Sequence, residues 1–506
     1  MALLACDKCE RLGIERNNAK TLTGEEREKL ALEMIERNRT VVDISNENGV
    51  SRKFLYGQES KAKQAVKETF TAEANKDSDV LFYLPVTRSW IAQFVLVLVL
   101  YCHSPFRGVV AVLKDVFDYD FSITSVHREV RQAIRKSQQI NAKENLSNIR
   151  YFGHDEMFQH RLAVLAAVDL QSSYCFLLSP ERQRDAETWA IRLLEAKDKG
   201  LDPEYSVADF GKGLRAGQAI ALPGIPCFGD VFHVLQDLVT LASRLERKAY
   251  TCICVEDERA REMEKAKREN NGRSVSSKLG KARKEANEAI EVADRVATLL
   301  EWMRQDVLTL VGPDLDTRGE LYDFIVAELF ALERFSKQRI RKVRRLLESR
   351  KDTILAFAER LDRQLQALAA QFEISPSAVQ DMVELQDSKR YTPAGREIEK
   401  RLRRLLKHRF FALEQAVQQA LGKTFRASSL IENLNGRLRS YFSLRRHIGA
   451  DYLDLLRFFF NHRRYMRSRC PERVNKSPAE AMTGESHPHW LEMLGFTLFK
   501  RSAVTA

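Results

Sequence analysis

Three acidic residues stand in settings from which a fold could bring them together around divalent cations. Asp155 lies in a short apolar run, Asp209 ends another, and Glu432 lies near the start of a helical segment that is otherwise basic. Two cations about 4 Å apart can activate a hydroxyl group and stabilise the leaving oxygen of a phosphodiester. The basic residues around Glu432 suit a polyanionic substrate. Together the acids and their flanks indicate metal-dependent chemistry on a nucleic acid.

Two other acids compete with Asp155 for the first position. Glu156 follows it directly, and Asp169 lies further along the chain. We favour Asp155 because it lies within a predicted strand, whereas Asp169 lies in a predicted turn. Each candidate also has a purely structural explanation: an Asp at a strand end is often a turn or cap residue, and a Glu near a helix N-terminus complements the helix dipole.

Residues 150–230, which contain the first two acids, predict a mixed α/β domain. Three strand-like runs form a meander, and a helix, a strand, a helix and a last strand follow. These elements are the runs 151–158, 161–168 and 173–178, the helix 185–199, the strand 205–209, a helix that begins near Gly211 and the strand 225–228. The order β-β-β-α-β-α-β is that of the RNase H-like fold.

The helix that contains Glu432 has a register that suits a site residue. Its apolar face is formed by Ile431, Leu434, Leu438 and Tyr441. A neighbouring face carries Glu432, Asn435, Gly436 and Arg439. We therefore expect Glu432 to point toward the site while Arg439 reaches a phosphate.

The chain between Asp209 and Glu432 is mostly helical and heavily charged. A long helix is predicted over 231–268, a break over 270–274, and a returning helix over 277–310, so that the pair could form an antiparallel hairpin. Further helices are expected over 323–372 and 396–421. By charge alone these are solvated helical faces.

The N-terminal region resembles a helix-turn-helix. A short helix ends at Gly49, which can adopt the left-handed conformation of a tight turn, and Ser51 then caps a second helix that begins with Arg52 and Lys53. Such a helix could enter a major groove. A similar pattern recurs over 107–131, with Arg128 and Arg131 in its second helix, after a plausible linker at 75–79. The structural alternative for both patterns is an ordinary helical hairpin.

Composition agrees with an intracellular protein that binds nucleic acid. The 506 residues carry a net charge of +12, which favours a polyanionic partner. The most apolar run, 94–101, is far shorter than the ~20 residues of a membrane-spanning helix, and we expect no signal peptide and no membrane association. The eight cysteines look like reduced thiols. Cys6 and Cys9 have the spacing of half a zinc knuckle, but no second pair follows nearby, so zinc binding there stays open.

Taken together, Asp155, Asp209 and Glu432 resemble the DDE triad of transposases and retroviral-type integrases. The resemblance covers about residues 150–485. Asn461, Arg464 and the run 477–480 (Ser-Pro-Ala-Glu) resemble the close of many integrase-like catalytic domains, although Tyr465 departs from the pattern after Arg464. Asp230 and His233 resemble a C/D-x-x-H motif of transposase superfamilies that carry a helical insertion; alternatively, His233 only packs on its helix.

The resemblance implies roles for these residues. Asp155, Asp209 and Glu432 would hold two Mg²⁺ ions, for which Mn²⁺ could substitute. Asp230 and His233 would act beside the metal ligands without being obligatory ligands. The basic residues expected to contact DNA are Arg52, Lys53, Arg128, Arg131, Arg437 and Arg439.

We therefore predict a multidomain transposase that binds transposon ends, cuts them and joins them to target DNA, as an oligomer on double-stranded DNA in the cytoplasm or nucleoid. All-α helix-turn-helix regions would precede an α/β RNase H-like core interrupted by a large all-α insertion. The expected segments are 1–70 and 80–145 for DNA binding, 146–230 and 426–506 for the core, and 231–425 for the insertion. The alternative is a catalytically inactive DNA-binding protein derived from such an enzyme.

Overall fold

The computed structural model describes residues 19, 22–74, 82, 84–268, 273–426, 429–445, 448–468 and 470–499. The chain divides into two compact units, one of Met1–Val86 with Lys500–Ala506 and the other of Thr87–Phe499. The described part is mostly helical and contains one five-stranded sheet, which lies in the second unit. The predicted combination of helical and α/β parts agrees with this architecture. Cys6, Cys9 and the expected linker at 75–79 lie outside the described residues.

The described part of the first unit contains the helices α1 (Gly24–Glu36), α2 (Val41–Glu47) and α3 (Arg52–Ala74). Between α2 and α3 the chain turns at Gly49, whose φ of 62° lies in the region that glycine adopts without steric cost. The Ser51 hydroxyl then caps α3 by accepting a hydrogen bond from the N–H of Phe54. Val50 is buried against the helices. The tight turn at Gly49 and the Ser51 cap are therefore as predicted.

The second unit contains three groups of elements. The first is α4 (Arg88–Leu100), α5 (Phe106–Phe117), α6 (Ile123–Asn141), β1 (Tyr151–Gln159), β2 (Leu162–Asp169), β3 (Cys175–Glu181), α7 (Ala186–Asp198), β4 (Tyr205–Ala208), α8 (Lys212–Ala221) and β5 (Cys227–Gly229). The second is α9 (Val231–Arg268), α10 (Arg273–Trp302), α11 (Leu315–Leu332), α12 (Lys337–Gln371), α13 (Pro376–Glu384), α14 (Pro393–Leu406) and α15 (Phe410–Gly422). The third is α16 (Ser429–Leu444), α17 (Ala450–His462), α18 (Pro478–Thr483) and α19 (Trp490–Met493).

The sheet has the strand order β3-β2-β1-β4-β5. β1, β2 and β3 pair in antiparallel fashion, as a meander does, whereas β4 lies parallel to β1 and β5 lies parallel to β4. Each parallel neighbour is reached through a helix, as a crossover requires. The predicted element order β-β-β-α-β-α-β is therefore present, with strand ends shifted by up to three residues.

Both faces of the sheet are covered by helices. One face packs on α4, α5 and α6 together with α16 and α17, and the other packs on α7 and α8. The segment 80–145, expected as a separate DNA-binding module, therefore shares its core with the sheet through Val126, Val130 and Ala133 of α6. The expected boundary at 145 does not separate two compact units. The turn pattern of this segment predicts only its local structure, because the burial of the apolar faces of its helices determines where the segment packs.

The region 231–425 is helical, as predicted, but it is not detached from the sheet. α9 packs antiparallel on α10, and its buried face shares a core with Tyr205, Val207 and Phe228 of the strands β4 and β5. The helix predicted over 323–372 is two helices, since α11 ends at Leu332 and α12 begins at Lys337. The apolar period continues across this break because both helices bury a face in the same core.

The residues 461–480, which resemble an integrase-like close, attach the C-terminal helices to the sheet. Asn461 in α17 uses its side-chain amide to bond both the N–H and the carbonyl of Cys175, each at 2.8 Å. Cys175 lies on β3, an edge strand whose outer side has no strand neighbour among the described residues. The buried amide thus supplies hydrogen bonds that a further strand would otherwise supply.

An ion pair fixes the helix α18 that follows. Glu480 accepts hydrogen bonds from the Arg464 guanidinium, the shortest at 2.6 Å, and from the N–H of Ser477 at 2.9 Å. Burial alone would raise the pKa of Glu480. The hydrogen bonds from Arg464 and from the N–H groups of Ser477 and His487 outweigh that effect and lower the pKa to about 2.

Glu480→Gln should destabilise the protein by roughly 3 kcal/mol near neutral pH, because the carboxylate has a pKa of about 2 when folded and 4.5 ordinarily. This contribution is complete above pH 4.5 and is lost as the pH falls toward 2. Urea unfolding of both proteins near neutral pH and at about pH 4 measures it. Glu485→Gln, which changes an exposed carboxylate, is the control. A loss that does not shrink at the lower pH would contradict the assignment.

Candidate metal centre

Three acids follow register-matched residues at one end of the parallel strands. His154 of β1 pairs with Ala208 of β4, and Ala208 pairs with Gly229 of β5. The next residues along the three chain segments are Asp155, Asp209 and Asp230. Because neighbouring strands lie about 4.8 Å apart, the three side chains start from adjacent positions at this edge.

The Asp155 carboxylate is held by two hydrogen bonds. Its Oδ1 accepts from the N–H of Glu156 and its Oδ2 accepts from the side-chain amide of Asn435, both at 2.8 Å. Burial raises the pKa of Asp155 to about 6, and the Asp209 and Glu432 carboxylates add to the rise. The Glu156 N–H and His233 oppose it. The charged form of Asp155 would therefore gain from a cation at this position.

Glu432 and His233 reach Asp155 from two helices far apart in the sequence. Asp155, His233 and Glu432 each offer a ligand atom, and these atoms lie within 4.8 Å of one another. The imidazole Nε2 of His233 lies 3.9 Å from the Glu432 carboxylate and 3.8 Å from that of Asp230. Two carboxylates and an imidazole form a donor set that can hold a divalent metal ion, with carboxylates suited to Mg²⁺ and Mn²⁺ and imidazole to transition metals.

The helix α16 has the register predicted from the sequence. Its apolar residues Ile431, Leu434, Leu438 and Tyr441 are buried. Glu432 is partly exposed beside them, and its carboxylate lies 3.9 Å from the Arg439 guanidinium. The buried face therefore fixes the rotation of the helix, and this rotation directs Glu432 to the sheet edge.

Asp209 lies at the same sheet edge but outside the group of three. Its Oδ1 accepts a hydrogen bond from the N–H of Gly211 at 2.8 Å. Arg215 donates to the Asp209 carbonyl at 2.9 Å and to the carbonyls of Cys227 and Phe228 at 3.0 and 3.1 Å, which ties the ends of β4 and β5 together. From the sequence we expect Asp209 as a ligand and His233 beside the ligands. In the structure it is His233 that completes the group within 4.8 Å among the described residues.

Asp230 is fully buried between the end of β5 and the start of α9. Its Oδ1 accepts a hydrogen bond from the N–H of Phe232 at 2.8 Å, so the carboxylate caps the first turn of the helix. The other oxygen faces the His233 ring. The Asp230 carboxylate thus lies next to the imidazole, and its action beside the site stays a prediction.

The two competing acids serve the structure instead. Glu156 points to the opposite face of β1, where it accepts hydrogen bonds from Arg184 at 2.8 Å and from the indole of Trp189 at 3.0 Å. Asp169 accepts a hydrogen bond from the N–H of Ser172 at 2.7 Å within the turn after β2. Of the three alternatives for the first position, only Asp155 lies with His233 and Glu432.

Asn435 has a role that the sequence pattern did not reveal. It is 2% exposed, and its amide orients the Asp155 carboxylate. A signal was available, because Asn435 lies three residues after Glu432 and therefore on nearly the same face of α16. An amide in that position can donate to an acid that Glu432 approaches.

The basic residues expected to contact DNA lie in three places. Arg52 and Lys53 are exposed at the start of α3, and Arg128 and Arg131 are exposed on α6, where Arg128 lies 3.2 Å from Glu129. Arg439 is exposed on α16. On the same helix, Arg437 is partly buried, with its guanidinium 4.8 Å from the centre of the Phe460 ring.

Comparison with known proteins does not assign the chain to a family. No protein-family model matches it, and no curated protein matches it either. Within the part of the chain that the structure describes, no helix combines the length and the apolar character needed to cross a membrane.

Divalent cations should stabilise the protein through Asp155, His233 and Glu432. Added Mg²⁺ or Mn²⁺ should raise the melting temperature, because a ligand that binds only the folded state stabilises it. Mn²⁺ should have the larger effect because one donor is an imidazole. Asp155→Asn and Glu432→Gln should each remove most of the gain, as scanning fluorimetry with and without cation would measure.

Glu156→Gln is the matched control, since it changes the neighbouring acid on the opposite face of β1. It should keep the response to cation even if it lowers stability. In metal-free buffer near neutral pH, Asp155→Asn should be at least as stable as the wild type, because it removes a carboxylate whose pKa burial has raised. Equal cation responses in Asp155→Asn and the wild type would contradict a site at Asp155.

Proposed function

We propose that this protein is a DDE-type transposase that cleaves DNA at transposon ends and joins the ends to target DNA. The observation that carries the proposal is the meeting of Asp155, His233 and Glu432, which come from β1, α9 and α16, with Asp209 at the end of the neighbouring strand. Their positions in the sequence are far apart, so local structure does not account for the cluster. Like charges gathered at one edge favour a bound cation.

The architecture around the cluster supports the same proposal. The sheet has the element order of an RNase H-like core, and the helices α9–α15 lie between its second and third acids in sequence. We propose that α9–α15 are the insertion that the family resemblance implies. The hydrogen bond between Asn461 and Cys175 of β3 and the ion pair Arg464–Glu480 involve residues of the segment that resembles the close of an integrase-like domain.

Each residue then has a defined task in strand cleavage. Asp155, Asp209 and Glu432 would hold two Mg²⁺ or Mn²⁺ ions, which when bound lower the pKa of an attacking hydroxyl and stabilise the departing oxygen. Asn435 keeps the Asp155 carboxylate aimed at the site. Arg439, exposed beside Glu432, is placed to contact a phosphate of the bound strand.

Asp155→Ala, Asp209→Ala and Glu432→Ala should each abolish cation-dependent cleavage and strand transfer, because each removes a carboxylate from the cluster. DNA binding by these variants should stay nearly intact. His233→Ala should slow cleavage about 10–100-fold if the imidazole only orients the site. If the imidazole is a metal ligand, His233→Ala should abolish cleavage as the carboxylate variants do. The measurement is cleavage of labelled transposon-end DNA with Mg²⁺ and with Mn²⁺, with binding followed by a mobility shift.

Glu156→Gln is again the control and should keep cleavage. Near-normal cleavage by the Asp155, Asp209 or Glu432 variant would remove that residue from the proposed set. If the wild-type protein binds transposon ends but never nicks them with either cation, the alternative of an inactive transposase-derived DNA-binding protein takes its place.

The first unit is the proposed reader of the DNA sequence. The support is the short turn at Gly49 and the exposed Arg52 and Lys53 at the start of α3, the position from which a recognition helix contacts base edges. Arg52→Ala should weaken binding to the transposon end by about 1–3 kcal/mol and relax its specificity, if Arg52 contacts a base.

Competition binding with specific and random duplexes measures both effects. Lys61→Ala, which removes an exposed charge further along α3, is the control and should leave the ratio of specific to random binding unchanged. An unchanged ratio for Arg52→Ala as well would show that the helix-turn-helix resemblance of this unit has no role in recognition.

A further inference from the structure

A cavity lies along α16, beyond the acidic cluster. It has a volume of about 390 Å³ and lies between α16, the start of the loop after α4, and the end of α17. The residues of its lining that matter here are Tyr101, His103, Gly436, Arg437, Phe460 and Arg463. Gly436 follows Glu432 by four residues, which is about 6 Å along a helix axis. The cavity therefore adjoins the proposed metal centre.

Two arginines in this cavity have no acidic partner among the described residues. The Arg437 guanidinium lies 4.8 Å from the centre of the Phe460 ring, and the Arg463 guanidinium lies 4.5 Å from that of Tyr101. The Nε of Arg437 is buried without a hydrogen-bond partner. Burial lowers the pKa of Arg437, and the charge of Arg463 adds to that effect.

Two neighbouring arginines are paired with acids. Arg457 on α17 lies 3.0 Å from Glu144, and Arg464 bonds Glu480 at 2.6 Å. The contrast matters because an uncompensated buried cation costs free energy unless an anion arrives to pair with it. Arg445, which follows α16, also has no acidic partner among the described residues, but Arg437 and Arg463 are the unpaired arginines that line the cavity.

The shape and lining narrow the class of ligand. A cavity of about 390 Å³ is larger than a phosphate group requires. Guanidinium planes and aromatic rings are the surfaces on which unpaired bases stack. The ring of His103, whose pKa is lowered by burial and by Arg463 and Arg445, can take part as a neutral hydrogen-bonding group. A base and its phosphate could both be accommodated, but a base within a duplex could not enter.

We propose that this cavity binds one unpaired nucleotide of a DNA strand, with its phosphate on Arg437 and Arg463 and its base against the neighbouring planar groups. The position of this nucleotide next to the bond that is cut rests on the proposed function. Binding of the nucleotide itself needs neither cleavage nor a metal ion. The cavity would hold the strand that leaves the duplex beside the acids, so that the phosphodiester is fixed in position when the acids act.

The test compares two labelled duplexes in metal-free buffer, one blunt and one with a short single-stranded overhang that carries 2-aminopurine. The full-length protein should bind the overhang duplex more tightly and change its fluorescence. Arg437→Ala and Arg463→Ala should each weaken binding of the overhang duplex about tenfold and leave binding of the blunt duplex nearly unchanged. Arg467→Ala, which removes an exposed arginine outside the cavity, is the control.

A second variant guards against misfolding of the arginine variants. A Cβ on Gly436 would meet no atom within 4 Å, so a side chain at this position starts in open space, and Gly436→Phe is chosen to fill the cavity. It should remove the preference for the overhang, whereas Gly436→Ala should keep it. The proposal is wrong if Arg437→Ala, Arg463→Ala and Gly436→Phe all keep the wild-type preference for the overhang.

The outcomes separate this proposal from the proposed function. If the variants lose the preference for the overhang but the wild type does not cleave DNA, the cavity proposal stands and the transposase proposal is rejected. If the wild type cleaves DNA but none of the variants alters the preference for the overhang, the transposase proposal stands and the cavity proposal is rejected. If inorganic phosphate or a free mononucleotide binds as tightly as the overhang duplex, the cavity is a small-anion site and the assignment to a DNA strand is wrong.

Discussion

The parallel pairing of β4 with β1 is the constraint on which the candidate site depends. The register that places His154 opposite Ala208 also places Asp155 beside Asp209, and the pairing of β5 adds Asp230 to the same edge. A shift of one residue would turn a side chain to the other face of the sheet. Glu156 demonstrates the consequence, since it follows Asp155 directly and yet bonds Arg184 and Trp189 on the opposite face.

The pairing gathers negative charge that the protein only partly balances. Asn435 donates a hydrogen bond to Asp155, and His233 stands between Asp230 and Glu432. Burial still raises the pKa of Asp155 to about 6, and the Asp209 and Glu432 carboxylates add to the rise. A structural site would be expected to reduce such repulsion rather than to collect it. In the cavity beside α16, Arg437 and Arg463 have no acidic partner among the described residues. The proposed metal ions and the proposed DNA strand would supply the opposite charges at these two places.

The helices α9–α15 do more than separate two acids in the sequence. α9–α12 share a core with β4 and β5, whereas α13–α15 pack with the end of α12 in a separate cluster. The chain that leaves α15 is tied to the sheet by Tyr205, whose hydroxyl donates to the Lys423 carbonyl at 3.0 Å and accepts from the N–H of Phe425 at 2.8 Å. This attachment brings the chain back beside the strand it left more than two hundred residues earlier in sequence. The start of α16, and with it Glu432, is positioned from there.

The sequence by itself determined the local structure and the identity of most of the candidate acids. Period-two and helical patterns predicted the seven elements of the sheet region, and the apolar face of α16 predicted the rotation that exposes Glu432, because both follow from which residues must be buried. Tertiary structure alone decided which groups meet. It placed His233, rather than Asp209, within 4.8 Å of Asp155 and Glu432, and it gave Asn435 its role. It also packed α6 into the core of the sheet. These outcomes depend on strand register and on helix packing between distant segments, and no local pattern encodes the distances between such segments.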